Sequence, residues 1–382
     1  MLTPAGCAAR RKRLWDALPR PCDALILGDP QSLIYFANYA PSPFVFRTSD
    51  ASAALILEPD RATLVADAMV KPYLDRAHVD EVVAPVWYDG KHAAPHRKAR
   101  LVTTAREVLS KVGGSSRFGI EAADVPAGIE AWLRKARPDA AWVALDDIVR
   151  GLRRAKDPDE VALIRRSVLA GEAGHAAALE RIKPGMSELD AYLVVQNAAV
   201  EAAGEQVIVY GDFASGSRCE TDRGGPPTRR TIEAGDLFLL DYSVIVHGYR
   251  ADFTNTFAVG GPPTPAQRDL FSACVEALTL GEAALRPGVA ARDVDRAVRG
   301  YFAAKGLGEA YPSHTGHGLG LSHPEPPYFV PESDETVVAG DVVAVEPGLF
   351  VPGVGGMRFE HNYLVTPDGY ETLTRHRITL EP

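Results

Sequence analysis

Five residues in the C-terminal half of this 382-residue chain have types and settings suited to metal chemistry: Asp241, Asp252, His317, Glu346 and Glu360. Asp241 closes the run Asp236-Leu237-Phe238-Leu239-Leu240-Asp241, and Glu346 closes the run Asp341-Val342-Val343-Ala344-Val345-Glu346; each run follows a glycine and reads as a buried strand ending in an acid. A strand that carries a carboxylate into the interior leaves it there, and a lone buried carboxylate is costly without a cation or a partner. Asp252 lies in Tyr249–Phe257, whose alternation predicts a neighbouring strand, and Ile245-Val246-His247-Gly248 supplies the hairpin turn with Gly248 at the bend. Both aspartates then fall on one face. His317 sits in Thr315-Gly316-His317-Gly318-Leu319-Gly320, where small neighbours leave room for an ion, and Glu360 ends Gly355-Gly356-Met357-Arg358-Phe359-Glu360.

Four carboxylates and one neutral imidazole sum to a charge of −4, which two divalent cations cancel. Without them such a cluster would repel itself and raise its own pKa values. Oxygen-rich donors with one imidazole suit Mn, Co, Zn or Fe, with Mn favoured, rather than a thiolate site. Two such ions ~3.5–4 Å apart can share a water, lower its pKa and polarise a carbonyl. Taken singly, each acid is as readily a turn residue or a salt-bridge partner; the joint pattern carries the weight. Arg358, two residues before Glu360, is read as orienting a ligand carboxylate by a bidentate hydrogen bond in preference to a purely structural ion pair. His247, His361 and His376 are read as surface or packing residues.

The elements that must position these groups belong to a second domain. Asp157-Pro158-Asp159-Glu160 is a helix start, with Asp157 capping, Pro158 in the first turn and Glu160 at capping-box spacing. The expected division is 1–155 and 156–382. Within the second domain, Glu180–Gly185 and Ala283–Gly288 each end in Pro-Gly between helix-like stretches, at an offset of 103, which suggests two related halves. The first 150 residues alternate short apolar runs (24–27, 53–57 and 62–66) with helix-like segments, as a compact α/β domain would; Asp29-Pro30 and Glu58-Pro59-Asp60 read as turns. No Gly-rich phosphate loop and no metal-ligand cluster is read there.

Composition bounds the function. The net charge of −9 argues against nucleic acid as a partner. The basic run Arg10-Arg11-Lys12-Arg13 is too short to alter that and reads as a solvated helix face. Four scattered cysteines imply no disulfide framework and fit a reducing compartment. No apolar h-region follows the basic run and no stretch approaches a membrane span, so a cytoplasmic location and no membrane partner are expected.

These stretches resemble the creatinase/aminopeptidase superfamily with the pita-bread fold, in its Xaa-Pro aminopeptidase and prolidase branch. The match runs through Gly235–Asp241, Gly248–Phe257, Gly316–Gly320, Val345–Gly348 and Gly355–Glu360, with ligand gaps of 11, 65, 29 and 14. Asp29–Phe36 resembles the branch's N-terminal creatinase-type domain, so the resemblance covers nearly the whole chain. It implies an α/β (α+β) fold: a C-terminal pita-bread catalytic domain with a smaller creatinase-type α/β domain. It implies that Asp241 chelates one ion, that Asp252 and Glu360 bridge both, and that His317 and Glu346 complete the other. Glu346 would also relay a proton to the leaving amine. It implies a short peptide or small amide as substrate, and a homodimer. Retention of all five ligands argues against the metal-free creatinases and against a non-catalytic binding member.

Two departures bear on the substrate. The peptidases carry a histidine where this chain has Gly224, and another where it has Pro324. His314 and His323 stand close to where the branch places its substrate-contacting histidines and are candidates to replace them. The leading expectation is an Xaa-Pro aminopeptidase or dipeptidase. The alternative keeps the fold and changes the chemistry, to a hydrolase or lyase of a small non-peptide compound, creatine- or ectoine-like.

Overall fold

A computed structural model of the chain describes residues 1–41, 53–94, 96–114, 116–221 and 224–382. They form two units, Met1–Arg153 and Arg154–Pro382. In the first, helices α1 (Pro4–Asp16) and α2 (Pro30–Ala37) flank strand β1 (Ala24–Leu27). There follow β2 (Ala54–Glu58), β3 (Arg61–Val65), α3 (Lys71–Leu74), β4 (Glu81–Val83), α4 (Arg97–Leu109), β5 (Arg117–Ile120), α5 (Ala127–Ala136), β6 (Ala141–Ala144) and α6 (Asp146–Leu152). The six strands form one mixed sheet in the order β4-β3-β2-β1-β5-β6. Leu101, Ala105 and Leu109 of α4 and Ile129 and Leu133 of α5 bury one helix face each in a core shared with Ile26, Ile56, Phe118 and Ile120 of the sheet.

Two local expectations are corrected here. Asp29-Pro30 opens a helix instead of a turn: the Asp29 carboxylate accepts the Gln31 amide and Pro30 takes the first helical position. The basic run of α1 is not wholly solvated, because Arg10 is fully buried and its Nε donates to the Tyr35 carbonyl at 2.8 Å. Long side chains can turn inward when the backbone supplies acceptors, which a charge count does not see.

In the second unit α7 (Pro158–Arg181) begins with the reciprocal capping box of Asp157 and Glu160. Helix α8 (Glu188–Ala203) and strands β7 (Ile208–Ser215), β8 (Leu237–Val246) and β9 (Tyr249–Ala258) complete the first half; the strands form an antiparallel sheet in the order β7-β8-β9. The second half repeats the plan with α9 (Pro265–Ala284) and α10 (Ala291–Ala304), followed by β10 (Gly316–Gly318), β11 (Glu325–Phe329), β12 (Val342–Val345), β13 (Gly348–Val351), β14 (Gly355–Arg358), β15 (His361–Thr366) and β16 (Gly369–Thr372). Its main sheet runs β11-β10-β12-β15-β16, and β13 pairs with β14 as a hairpin. Pro-Gly separates the helices of both pairs. The two Gly-Asp corners also correspond: Asp236 accepts the Glu233 amide and pairs with Arg230, while Asp341 accepts the Val338 amide and pairs with Arg154. Helices α9 and α10 pack Cys274, Leu278, Val294, Val298 and Phe302 against Val343, Val345 and Tyr363 of the larger sheet. Both half-sheets rest on helices. Asp241 does not end its strand as the apolar run suggested: β8 continues to Val246, because the hairpin pairing with β9 extends past the acid.

Candidate metal centre

The hairpin of β8 and β9 sets the first two acids. Its turn residues His247 and Gly248 have φ of 49° and 88°, the left-handed pair that a two-residue hairpin with right-handed strand twist requires. That register opposes Asp241 to Thr254 and Ser243 to Asp252, so all four side chains share one face. His247 thus serves the turn, with Nε2 3.1 Å from Glu205.

The second half brings the rest. His317 is the middle residue of β10, and its Nδ1–H donates to the Gly318 carbonyl at 2.9 Å, which turns Nε2 toward the acids. The flanking glycines make room for backbone, not for an ion as the sequence reading had it. A Cβ on Gly316 would lie 2.1 Å from the Ala344 carbonyl oxygen, and one on Gly318 would lie 2.2 Å from that of Pro326. Glu346 follows β12, and its amide bonds the Thr315 carbonyl. Glu360 follows the β14 strand and is held by Thr254 Oγ1 at 2.7 Å and by Asn362 Nδ2 at 3.3 Å.

These five residues converge. Single ligand atoms of Asp241, Asp252 and Glu360 lie within 4.8 Å of one another, as do those of His314, His317 and Glu346, and of Asp252, His317 and His323. His314 Nε2 is 3.1 Å and His317 Nε2 3.0 Å from Glu346 Oε1; His323 Nε2 is 2.5 Å from Asp252 Oδ2. Arg358 donates from Nη1 to Asp241 Oδ2 at 2.5 Å, while its Nε stands 3.9 Å from Glu346. Arg358 thus reaches a ligand carboxylate, that of Asp241, as expected. His361 and His376 lie apart from the acids, packed with His175 in an edge-on imidazole stack.

The electrostatics follow from crowding buried acids. Burial first, then the charges of Asp252, Glu346 and Asp241, raises Glu360 well above the ordinary carboxyl range. Asp241 is pushed up to about 7 by burial, with Arg358 opposing and Asp252 and Glu346 adding to it. Burial acts upward on Glu346 as well, but His314 and His317 hold it well below its ordinary value. Asp252 is lowered against burial, chiefly by His323. Burial would lower His317, yet Glu346 lifts it to about 9. Crowded carboxylates that need positive charge to stay ionised, beside imidazoles that ligate as neutral donors, are a set that fits hard or borderline dications.

Asp241, Asp252, His317 and Glu346 line a cavity of ≈ 620 Å³ whose walls also include His314, His323, Pro324, Tyr192, Tyr210 and Asp212. Pro324 thus lines the cavity in place of a histidine while His323, one residue earlier, reaches the acids. Gly224 brings no side chain. Ser243, Thr254 and Asn362 were not singled out in the sequence. Ser243 Oγ donates to Asp252 at 3.0 Å, and Asn362 Oδ1 accepts the Asp252 amide. The signal available for them was period: each stands an even number of residues from a ligand on its own strand or strand end.

Residues 162–367 match metallopeptidase family M24, and residues 10–155 match the creatinase/prolidase N-terminal domain. An uncharacterised peptidase of Bacillus subtilis, YqhT, is 31% identical over 333 residues, spanning 86% of this chain and 88% of that protein. An Xaa-Pro dipeptidase of Pyrococcus horikoshii is 31% identical over 275 residues, 70% of this chain and 76% of its own. The solved Xaa-Pro dipeptidase from Bacillus anthracis superposes with a TM-score of 0.82 at 26% identity, over 98% of this chain and 99% of that one.

Proposed function

Because the chain belongs to metallopeptidase family M24, with the pita-bread catalytic fold and a creatinase-type N-terminal domain, we propose that this metal-dependent hydrolase is an Xaa-Pro aminopeptidase or dipeptidase acting on short peptides. The observation that carries the reading is the convergence of Asp241, Asp252, His317, Glu346 and Glu360, four acids and an imidazole of which all but Glu360 line one cavity. In this reading Asp241, Asp252, His317, Glu346 and Glu360 would together hold two dications. Bound there, the ions would acidify a water and polarise the scissile carbonyl. Manganese is the first ion to test.

The chain's own residues do the rest. Glu346, kept ionised by His314 and His317, accepts the proton of the attacking water and returns it to the departing nitrogen. His314 steadies Glu346 from the solvent side, where it is 43% exposed and can follow a substrate. His323 stands over Asp252 and donates toward the carbonyl oxygen as charge develops there. Arg358 fixes the Asp241 carboxylate so that the donor geometry survives ion exchange. The proposal includes domains at 1–155 and 156–382, a homodimer and a cytoplasmic setting; among the described residues no helix is long and apolar enough to cross a membrane.

A second reading, a small non-peptide amide, is favoured by one observation, the absence of a side chain at Gly224 and of an imidazole at Pro324. Protein loaded with Mn and offered Xaa-Pro dipeptides and tripeptides separates the two. Release of free proline or of an N-terminal residue is expected; inactivity on every peptide with metal bound would favour the second reading.

A further inference from the structure

Helix α10 buries a carboxylate that lies outside the metal cluster. Asp295 stands next to Val294 and three residues before Val298, both of which α10 packs into the core, and is itself buried. A carboxylate in that setting needs donors, and three meet it. Arg299, one turn on, grips it with a fork: Nε donates to Oδ2 at 3.0 Å and Nη2 to Oδ1 at 3.1 Å. Thr315 Oγ1 donates to Oδ1 at 2.8 Å. With the Thr315 proton committed to a group that only accepts, the Tyr311 hydroxyl, 2.7 Å away, donates to the Thr315 oxygen. The Arg299 guanidinium lies over the Tyr311 ring, 4.6 Å from its centroid, which closes the set.

These bonds end on the two chain neighbours of His314. Arg299 Nη2 also donates to the Ser313 carbonyl at 2.9 Å, so the residue before His314 is held by the same guanidinium. Thr315, the residue after it, is held by Asp295 itself. The Thr315 carbonyl accepts the Glu346 amide at 2.9 Å, and its own amide bonds the Phe329 carbonyl at 3.0 Å. His314 Nε2 and Glu346 Oε1, 3.1 Å apart, thus share one anchor on α10. The backbone is fixed on both sides of His314 while its partly exposed ring keeps its own rotation. Replacing a buried ionic group by apolar side chains of like volume is often neutral for stability, so folding alone does not call for an acid here. What the set secures is position.

We infer that Asp295 is a positioning residue for the reaction, which through Thr315 and Arg299 keeps His314 in register with Glu346. The inference rests on the peptidase reading for what His314 and Glu346 do, and its test includes a readout that needs no turnover.

Asp295→Asn offers one acceptor oxygen where aspartate offers two, so it cannot serve both Arg299 and Thr315. Full-length protein loaded with Mn is compared as wild type, Asp295→Asn, His314→Ala and the double variant. Proline release from Ala-Pro gives kcat and KM, elemental analysis gives metal content, and mass spectrometry gives the rate at which diethyl pyrocarbonate acylates His314. Asp295→Asn is expected to lower kcat about tenfold or more, with KM and metal content within about twofold of wild type. Acylation of His314 should run about fivefold faster as its bond to Glu346 loosens. In the His314→Ala background the same substitution should cost less than about threefold, since its route is already cut. Thr315→Val keeps the ion pair and the shape, and carries the same expectations should Asp295→Asn not fold. Unchanged kcat, unchanged acylation, a loss that adds in full to that of His314→Ala, or loss of metal together with activity would overturn the inference. Should the wild type bind metal and cleave no peptide, the peptidase reading fails while the acylation rates still decide whether Asp295 places His314.

Discussion

Chelation should reverse how the catalytic unit responds to pH. In the chelated protein Asp241 has its pKa raised from 3.8 to about 7, so near pH 5.5 the folded state keeps a proton that the unfolded state has lost. Stability falls as pH climbs toward 7, and Glu360, also raised, acts in the same direction. His317 is raised from 6.5 to about 9; its contribution is fully present below 6.5 and is lost as pH rises through 9. Asp252 and Glu346, both held low, contribute stability that is lost only in acid, so they stay constant above about pH 5. Between about pH 5.5 and 8.5 Asp241 and His317 each shift stability by about 2–3 kcal/mol, all in one direction. For a unit of this length 1 kcal/mol moves Tm by about 2–4 °C, so the chelated unit should lose roughly 10–20 °C over that range. Dications hold the acids ionised and the imidazole neutral in the folded state, which removes this proton uptake. Melting curves with Mn or with excess EDTA, taken at four pH values, should diverge as pH rises. Parallel curves would refute the account of crowded acids balanced by metal.

Two further outcomes follow from the same geometry. Gly316→Ala puts a methyl 2.1 Å from the Ala344 carbonyl, so β10 must part from β12; a loss of about 2–3 kcal/mol in denaturant unfolding is expected together with loss of bound metal, and unchanged stability would contradict the close approach. Asp252→Asn should remove a ligand charge, lower metal content and cut turnover by at least about a thousandfold; elemental analysis and peptide hydrolysis on one sample check both, and normal turnover would refute the assignment of Asp252.

The parts legible in the sequence were those governed by local rules. The β8–β9 hairpin could be read because a Gly-containing turn between two alternating runs fixes register, and register fixes which aspartates share a face. The start of α7 could be read because Asp157, Pro158 and Glu160 act within one turn. Asp212, a wall residue of the cavity, escaped because its neighbours lie far along the chain: Asp241 across the ladder is 29 residues away and Gly224 beside its carboxylate is 12. The glycines around His317 were visible but misread, since only the neighbouring strands reveal that Ala344 and Pro326 need the space. Arg10 was misread for a similar reason: the Tyr35 carbonyl that receives it belongs to another helix.

The most direct measurement counts metal against catalysis. Protein saturated with Mn, desalted and analysed for metal should hold two ions per chain, and Xaa-Pro hydrolysis should fall in step with metal as a chelator removes it and return when Mn is restored. Undiminished hydrolysis from a sample in which no metal can be detected would contradict the account at its foundation.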